Sequence, residues 1–179
     1  MEIATLVVVV MVIVTALIFD FTNGFHDTAN AMATSIATGA LKPKTAVIAA
    51  GTLNLIGAFL STEVAQTISG GLINEQQVAI GPEFIFAGLV GAILWNLLTW
   101  LVGLPSSSSH ALFGGLVGAV IIGAGVEGVN FGGVLTKILI PAIVSVIVAA
   151  LAATCATKLI GLITKGMDEK QVENGFRHG

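Results

Sequence analysis

Two polar segments interrupt an otherwise apolar chain, and their residue types are those that bind ions. The first runs from Phe19 to Ala31 and contains two carboxylates, a histidine and two asparagines. The second, residues 105–110, places four consecutive serines between a proline and a histidine. A charged side chain near the centre of a bilayer costs about 2.5–3.5 kcal/mol even on insertion scales, so such residues normally line a wet cavity or contact a partner. We therefore predict that the two segments meet and form a transport site.

The first segment favours a cation. Asp27 and Asn30 are three residues apart, so on a helix they share a face and offer two oxygen ligands, the kind that hard cations take. Asn23, with backbone carbonyls freed by a helix break beside Gly24, would complete the shell, as in the discontinuous helices of transporters. Asp20 is either a further cation ligand or an interfacial residue. The alternative for Asp27 is that it only caps a half-helix that starts there.

A histidine in the same segment has a simpler interpretation. No cluster of cysteines and histidines accompanies His26. We therefore expect His26 to be a packing residue with satisfied polar atoms rather than a metal ligand.

The second segment favours an anion. Pro105 disfavours helical geometry at Leu104 and suits the start of a new helix, so the chain breaks here. The serines then fall at the N-cap and first turn of a helix predicted over Ala111–Val126, where unpaired N–H groups and the helix dipole attract an oxyanion. Serine hydroxyls add neutral donors, and His110 adds a donor or responds to protonation near neutral pH. The serines could merely cap the helix, although one would suffice for that.

Composition indicates a membrane protein. Hydrophobic residues make up 55% of the chain and charged residues 9%, whereas an ordinary soluble domain has about 25% charged residues. The 22 glycines suit close approach of helices in lipid. The net charge of −3, with seven basic residues that form no patch, gives no reason to expect nucleic acid as a partner. The predicted fold class is all-α, a polytopic transmembrane helical protein.

The apolar segments divide the chain into predicted helices. A single helix over Met1–Leu41 would be about 60 Å long, twice the hydrocarbon thickness of a bilayer, so we predict a break at Asn23-Gly24. The following spans are Thr45–Thr62, Phe84–Leu104, Ala111–Val126 and Val134–Ile163, with Pro141 either kinking or starting the last of them.

Basic residues predict the orientation. Lys42 and Lys44 and the lysines near the C-terminal end mark the cytoplasmic side, and the loop Glu63–Glu83, which has no Lys or Arg, lies outside. Residues 84–126 must then begin and end outside. Either two full spans place the serines in a cytoplasmic turn, or a re-entrant hairpin places them at mid-membrane. The absence of Lys and Arg from this turn favours the re-entrant hairpin.

Two motifs resemble one known family. Gly24-Phe25-His26-Asp27-Thr28-Ala29-Asn30-Ala31 resembles the signature of the inorganic phosphate transporters, the low-affinity Pit permeases and their eukaryotic sodium–phosphate relatives. The segment from Leu104 to His110 resembles the second motif of the same repeat, and the resemblance covers residues 15–165. It implies inverted repeats, a phosphate site between paired re-entrant hairpins, and symport with sodium or protons, sometimes as a metal–phosphate complex.

The chain departs from the family pattern in having one copy of the repeat. We expect residues 1–164 to form the transmembrane repeat and residues 165–179 to be a cytoplasmic linker to a second half. The segment Asn174–Gly179 resembles the start of that half. The expected partner is therefore a second repeat or another copy of the chain.

The sequence as a whole predicts half of a cation-coupled phosphate transport site in the cell membrane. We expect no enzyme activity and no cofactor, only the transported phosphate with sodium or a proton. The alternatives are a sulfate permease of the same fold, and an anion channel or non-transporting membrane subunit. The candidate phosphate-binding residues are Ser106, Ser107, Ser108, Ser109, His110 and Thr28, and the candidate cation ligands are Asp27, Asn30, Asn23 and Asp20, with Asp27 and Asn30 holding sodium if sodium is the coupling ion.

Overall fold

A computed structural model describes residues 3–60, 71–74 and 81–165 of the chain. Within these residues the fold is all-α, as predicted, and the only strand-like pairing described is an isolated bridge between Ile73 and Val129. Part of the predicted outer loop and the predicted linker lie outside the described residues. The helices are α1 (Ile3–Ala37), α2 (Pro43–Leu60), α3 (Pro82–Val102), α4 (Ser108–Ala124), the single turn α5 (Phe131–Val134) and α6 (Ile140–Ile163).

Helix α1 is continuous, and the predicted break at Asn23-Gly24 is wrong. Its 35 residues include both asparagines and both aspartates of the first polar segment. A glycine inside a helix costs only about 1 kcal/mol relative to alanine. A break would instead free backbone groups that must be paired in a membrane. Because Asp27 lies in the helix interior, the alternative that it caps a half-helix is wrong as well.

Helices α1 and α2 are joined by a short turn. Gly39 adopts a left-handed conformation with φ of 74°, and the amide of Leu41 donates to the carbonyl of Ser35. Helix α2 then begins at Pro43 and packs on α1, with Ala46 and Ala50 buried. Lys42 and Lys44 thus lie at the start of α2, directly after this turn.

Helices α1 and α3 run side by side in the same direction. Phe19 packs with Leu89 and Ala92, and further along both helices the rings of Phe25 and Trp100 meet edge to face with centroids 5.6 Å apart. The buried residues recur every three or four positions, which is the spacing of one helix face. They are Thr15, Phe19, Thr22 and His26 on α1 and Leu89, Ala92, Asn96 and Thr99 on α3.

Helices α3 and α4 form a tightly packed antiparallel hairpin. Gly115 lies directly against the backbone carbonyl of Gly88, and a Cβ on Gly91 would lie 3.7 Å from the Cα of Gly115. At the other end of the hairpin Phe84 packs against Gly123. Helix α3 ends at Gly103, whose φ of 74° lets its N–H bond back to the last turn. The second polar segment thus forms the tip of this hairpin.

A second cluster closes the opposite end of the hairpin. Leu72, Ile73, Val120, Val129 and Ile138 form a buried apolar group. The amide of Asn130 donates to the carbonyl of Leu72, which ties residues 71–74 to the segment after α4.

The last apolar segment contains a π-helical turn, Leu135–Leu139, immediately before α6. Pro141 lies directly after this turn, as the second residue of α6. Because the helical residues run without a gap from Phe131 to Ile163, Pro141 does not start the segment, and that alternative of the prediction is wrong. No residue of α6 is buried against the described part of the protein.

Within the described part of the chain, three helical segments are long and apolar enough to cross a membrane: Thr5–Ala37, Pro82–Val102 and Phe131–Ile163. Helix α4 is shorter, with 17 residues. The architecture is that of a polytopic membrane protein, as predicted. Inverted repeats and the membrane depth of the hairpin tip stay predictions.

Candidate functional site

The structure brings the two polar segments together at the tip of the α3–α4 hairpin. The hydroxyl of Ser108, which is completely buried, donates a hydrogen bond of 3.0 Å to Oδ1 of Asp27. One turn further along α1, Nδ2 of Asn30 donates to the backbone carbonyl oxygen of Ser106 at 3.3 Å. Asp27 and Asn30 share a helix face, and that face contacts the serine segment.

The start of α4 is built as the sequence indicates. Ser107 is the N-cap, and its hydroxyl oxygen accepts from the backbone N–H of His110 at 3.4 Å. The same oxygen lies 2.8 Å from Nδ1 of His110. The N–H groups of Ser108 and Ser109 occupy the first helical turn, where no intrahelical carbonyl can accept from them. These N–H groups are the donors that an oxyanion would use.

A tryptophan positions the serine segment from α3. The indole N–H of Trp95 donates to the hydroxyl oxygen of Ser106 at 3.0 Å. Trp95 and the serines border a groove of about 510 Å³ that opens on the face of the hairpin. The groove is lined by Gly91, Trp95, Ser106, Ser107, His110, Ala111, Gly114 and Gly115.

His26 is buried beside both proposed cation ligands. Its side chain is 4% exposed, and its Nδ1 lies 3.5 Å from Oδ1 of Asp27 and 3.4 Å from Nδ2 of Asn30. It fills the seam between α1 and its neighbours and contacts the polar groups there. This geometry fits the prediction of a packing residue with satisfied polar atoms.

Three of the candidate residues remain apart from these contacts. Asp20 is exposed, two turns before Asp27 on α1, and Ser109 is exposed on the first turn of α4. Thr28 is half-buried. None of the three side chains has a hydrogen-bond or ion-pair partner among the residues that the structure describes.

Two asparagines, the buried Asn96 and the half-buried Asn23, have buried side-chain atoms without partners. Oδ1 of Asn23 and both Oδ1 and Nδ2 of Asn96 have no hydrogen-bond partner in the described part of the chain. Asn96 is 1% exposed and lies on the face of α3 that packs against α1 and α4. Sequence reasoning missed Asn96 and the contact made by Trp95. The signal for Asn96 was its place as a strongly polar residue in the middle of an apolar span.

The polar side chains that meet at this site include one carboxylate, Asp27. Over residues 3–60, 71–74 and 81–165, no group of three His, Cys, Asp or Glu side chains comes together. The available oxygens belong to one carboxylate, amides and hydroxyls. This set of ligands combines neutral oxygen atoms with one negative charge.

Comparison with known proteins identifies relatives that share one description. The model of the phosphate transporter family matches residues 23–178. A protein of Mycobacterium bovis called a probable low-affinity inorganic phosphate transporter is 58% identical over 174 residues, covering 97% of this chain and 41% of the relative. A Bacillus subtilis protein of the same description is 42% identical over 96% of this chain and 51% of the relative.

A more distant relative belongs to the same group. The low-affinity inorganic phosphate transporter PitA of Escherichia coli is 33% identical over 155 residues, which is 84% of this chain and 30% of that protein. The chain thus spans between 30% and 51% of the length of these three relatives. No solved structure matches the chain.

Proposed function

The chain belongs to the phosphate transporter family, and on that premise we propose that it contributes the phosphate site and a coupling-cation site of a secondary active transporter. Inorganic phosphate is the transported anion, and sodium or a proton is the coupled cation. The observation that carries the proposal is the hydrogen bond of 3.0 Å between Ser108 Oγ and Asp27 Oδ1. It joins a residue of the anion-binding set to a carboxylate of the cation-binding set.

The anion half of the site is the start of α4. The unpaired N–H groups of its first turn and the serine hydroxyls lie together at the positive end of the helix dipole. Ser107 and His110 border the open groove of the hairpin, whereas Ser108 faces α1. Phosphate bound at the groove would receive hydrogen bonds from neutral donors only, so that it can also be released.

The cation half explains why transport would be coupled. Two unit charges of the same sign 4 Å apart repel by about 4 kcal/mol at an effective dielectric constant of 20. Phosphate next to an ionised Asp27 therefore binds poorly, unless a cation or a proton at Asp27 offsets the repulsion. The side chain of Asp27 is 48% exposed in the described chain, so a cation can reach it. Each ligand then raises the affinity for the other, as symport requires.

The length of α4 supports a tip that ends inside the membrane. Its 17 residues make a helix of about 25 Å, shorter than a hydrocarbon core of about 30 Å. The tip also has no Lys or Arg, which cytoplasmic turns usually contain. A re-entrant α3–α4 hairpin would place the serines where a transported anion must pass.

Uptake by the reconstituted protein tests this proposal. Phosphate entry into proteoliposomes should saturate with phosphate concentration and depend on an imposed sodium or proton gradient. Entry that rises linearly with concentration and ignores both gradients would indicate a channel. Complete inhibition of phosphate entry by equimolar sulfate would favour the sulfate permease instead.

A further inference from the structure

Among the described residues, Asn96 is the most deeply buried polar side chain that the proposed phosphate site does not use. Its two polar atoms have no partner among the described residues, and it is 1% exposed. An unpaired buried polar group costs about 1–3 kcal/mol, so such a group in a native protein calls for an explanation, often a water or an ion. Oδ1 of Asn23 on α1 is unpaired in the same way.

The two asparagines lie at the same level of the seam between α1 and α3. On one side of this level Phe19 packs with Ala92, and on the other side the rings of Phe25 and Trp100 meet. Asn23 follows Phe19 by one turn, and Asn96 follows Ala92 by one turn. The parallel course of the helices thus places both residues at the level between these two contacts.

Two threonines in the same layer can accept further bonds. The hydroxyl of Thr22 donates to the carbonyl of Phe19, and the hydroxyl of Thr99 donates to the carbonyls of Trp95 and Asn96. Because both hydroxyl hydrogens are already donated to backbone carbonyls, the oxygen lone pairs of these buried threonines can bind a cation or accept a hydrogen bond.

The continuity of α1 removes the ligands that the sequence had suggested. A break beside Gly24 would have freed backbone carbonyls to complete a cation shell around Asn23. In the structure α1 runs unbroken from Ile3 to Ala37, so those carbonyls are used within the helix. Any further oxygens must come from a neighbouring helix, and Asn96 of α3 offers an unused one.

We propose that Asn96, with Asn23, binds the coupling sodium ion in a partly hydrated form between α1 and α3. This inference rests on the proposed function and names a ligand of its cation site. The amide oxygens and threonine hydroxyls are hard, neutral ligands suited to a monovalent ion. An accompanying water accepts from Nδ2 of Asn96. The carboxylate of Asp27, one turn or about 6 Å further along α1, supplies the compensating charge.

Direct sodium binding tests the proposal. Radiolabelled sodium is titrated onto the purified protein in detergent without phosphate, with potassium and choline as competing ions. Asn96→Leu keeps the approximate shape and removes both polar atoms, and it should weaken sodium binding at least tenfold. Asn96→Asp keeps an oxygen and adds a negative charge, and it should bind sodium at least as tightly as the unaltered protein. Asn54→Leu, which removes an exposed amide from α2, should change nothing.

The outcomes separate this inference from the proposed function. Equal sodium binding by the unaltered protein and Asn96→Leu would overturn the inference. A loss of sodium affinity in Asn96→Asp as large as that in Asn96→Leu would also overturn it, because it would indicate a water-filled or purely structural position. Absence of sodium binding by the unaltered protein would also overturn it. Sodium binding that depends on Asn96 in a protein that does not transport phosphate would instead leave this site standing and refute the proposed function.

Discussion

Ser108 and Asp27 are 81 positions apart in the chain and are joined by a hydrogen bond of 3.0 Å between their side chains. Ser108 is completely buried at the start of α4, and Asp27 lies in the middle of α1. A hydroxyl donor in the first turn of one helix thus lies in direct contact with a carboxylate from another helix. An anion and a cation that bind there must influence each other, because their charges lie within a few ångströms.

Removal of the charge at Asp27 should uncouple transport. Asp27→Asn keeps the size of the side chain and an oxygen that can accept from Ser108, but it removes the negative charge that attracts the cation. We expect normal insertion into the membrane and loss of cation-dependent phosphate uptake in proteoliposomes. Glu127→Gln, which neutralises an exposed carboxylate at the far end of the hairpin, serves as the control. Wild-type uptake with wild-type cation dependence in Asp27→Asn would remove Asp27 from the cation site.

The indole of Trp95 should hold the serine segment in place. Trp95→Phe keeps an aromatic ring and loses the hydrogen bond to Ser106, which is worth about 0.5–1.5 kcal/mol between neutral groups. Phosphate affinity, measured by isothermal titration calorimetry, should therefore fall between twofold and about tenfold. Trp100→Phe should have little effect, because Trp100 contacts Phe25 through its ring alone. Equal affinities of the two variants would argue against a role for the indole N–H.

Close packing of the hairpin should depend on Gly115. A Cβ at this position would collide with the backbone carbonyl of Gly88, which cannot move without shifting α3. Gly115→Ala should lower the melting temperature of the protein in detergent and reduce the yield of monodisperse material. Gly118→Ala is the matched control, because nothing described lies within 4 Å of a Cβ there. A melting temperature that falls equally in both variants would contradict this packing.

Sequence reasoning was most successful where local chemistry decides structure. Pro105 and the serines predicted a helix start, and α4 begins at Ser108 with Ser107 as its N-cap. These features depend on residues next to each other in the chain, whose conformational preferences hold in most surroundings.

Two features of the site depend on neighbouring helices and were not predictable in the same way. The length of Met1–Leu41 suggested a break, but α1 stays continuous because α3 and α4 pack against its polar face. The burial of Asn96 comes from the packing of neighbouring helices, which sequence spacing cannot give. The course of α1 and α3 side by side had to be known first.

A negative charge at the N-cap of α4 should weaken phosphate binding far more than loss of the Ser107 hydroxyl. Ser107→Ala loses a hydrogen bond to the anion, worth about 1.5–3 kcal/mol for a charged partner. Ser107→Asp keeps a good N-cap, because aspartate caps helices as well as serine does. It nevertheless places a negative charge at the positive end of the helix, where phosphate would bind. Phosphate binding measured by calorimetry should weaken in Ser107→Ala and be abolished in Ser107→Asp. Retained binding in Ser107→Asp would exclude this helix start as the phosphate site.

Thiol labelling at Ser107 tests the central claim most directly. The protein carries Ser107→Cys in a background in which Cys155, the exposed native cysteine, is replaced. A membrane-impermeant maleimide is then applied from the cytoplasmic side, with and without saturating phosphate. If the serines form the phosphate site, phosphate should slow labelling strongly and an equal concentration of chloride should not. Fast labelling that phosphate leaves unchanged would show that this segment is a plain cytoplasmic turn and would contradict the account.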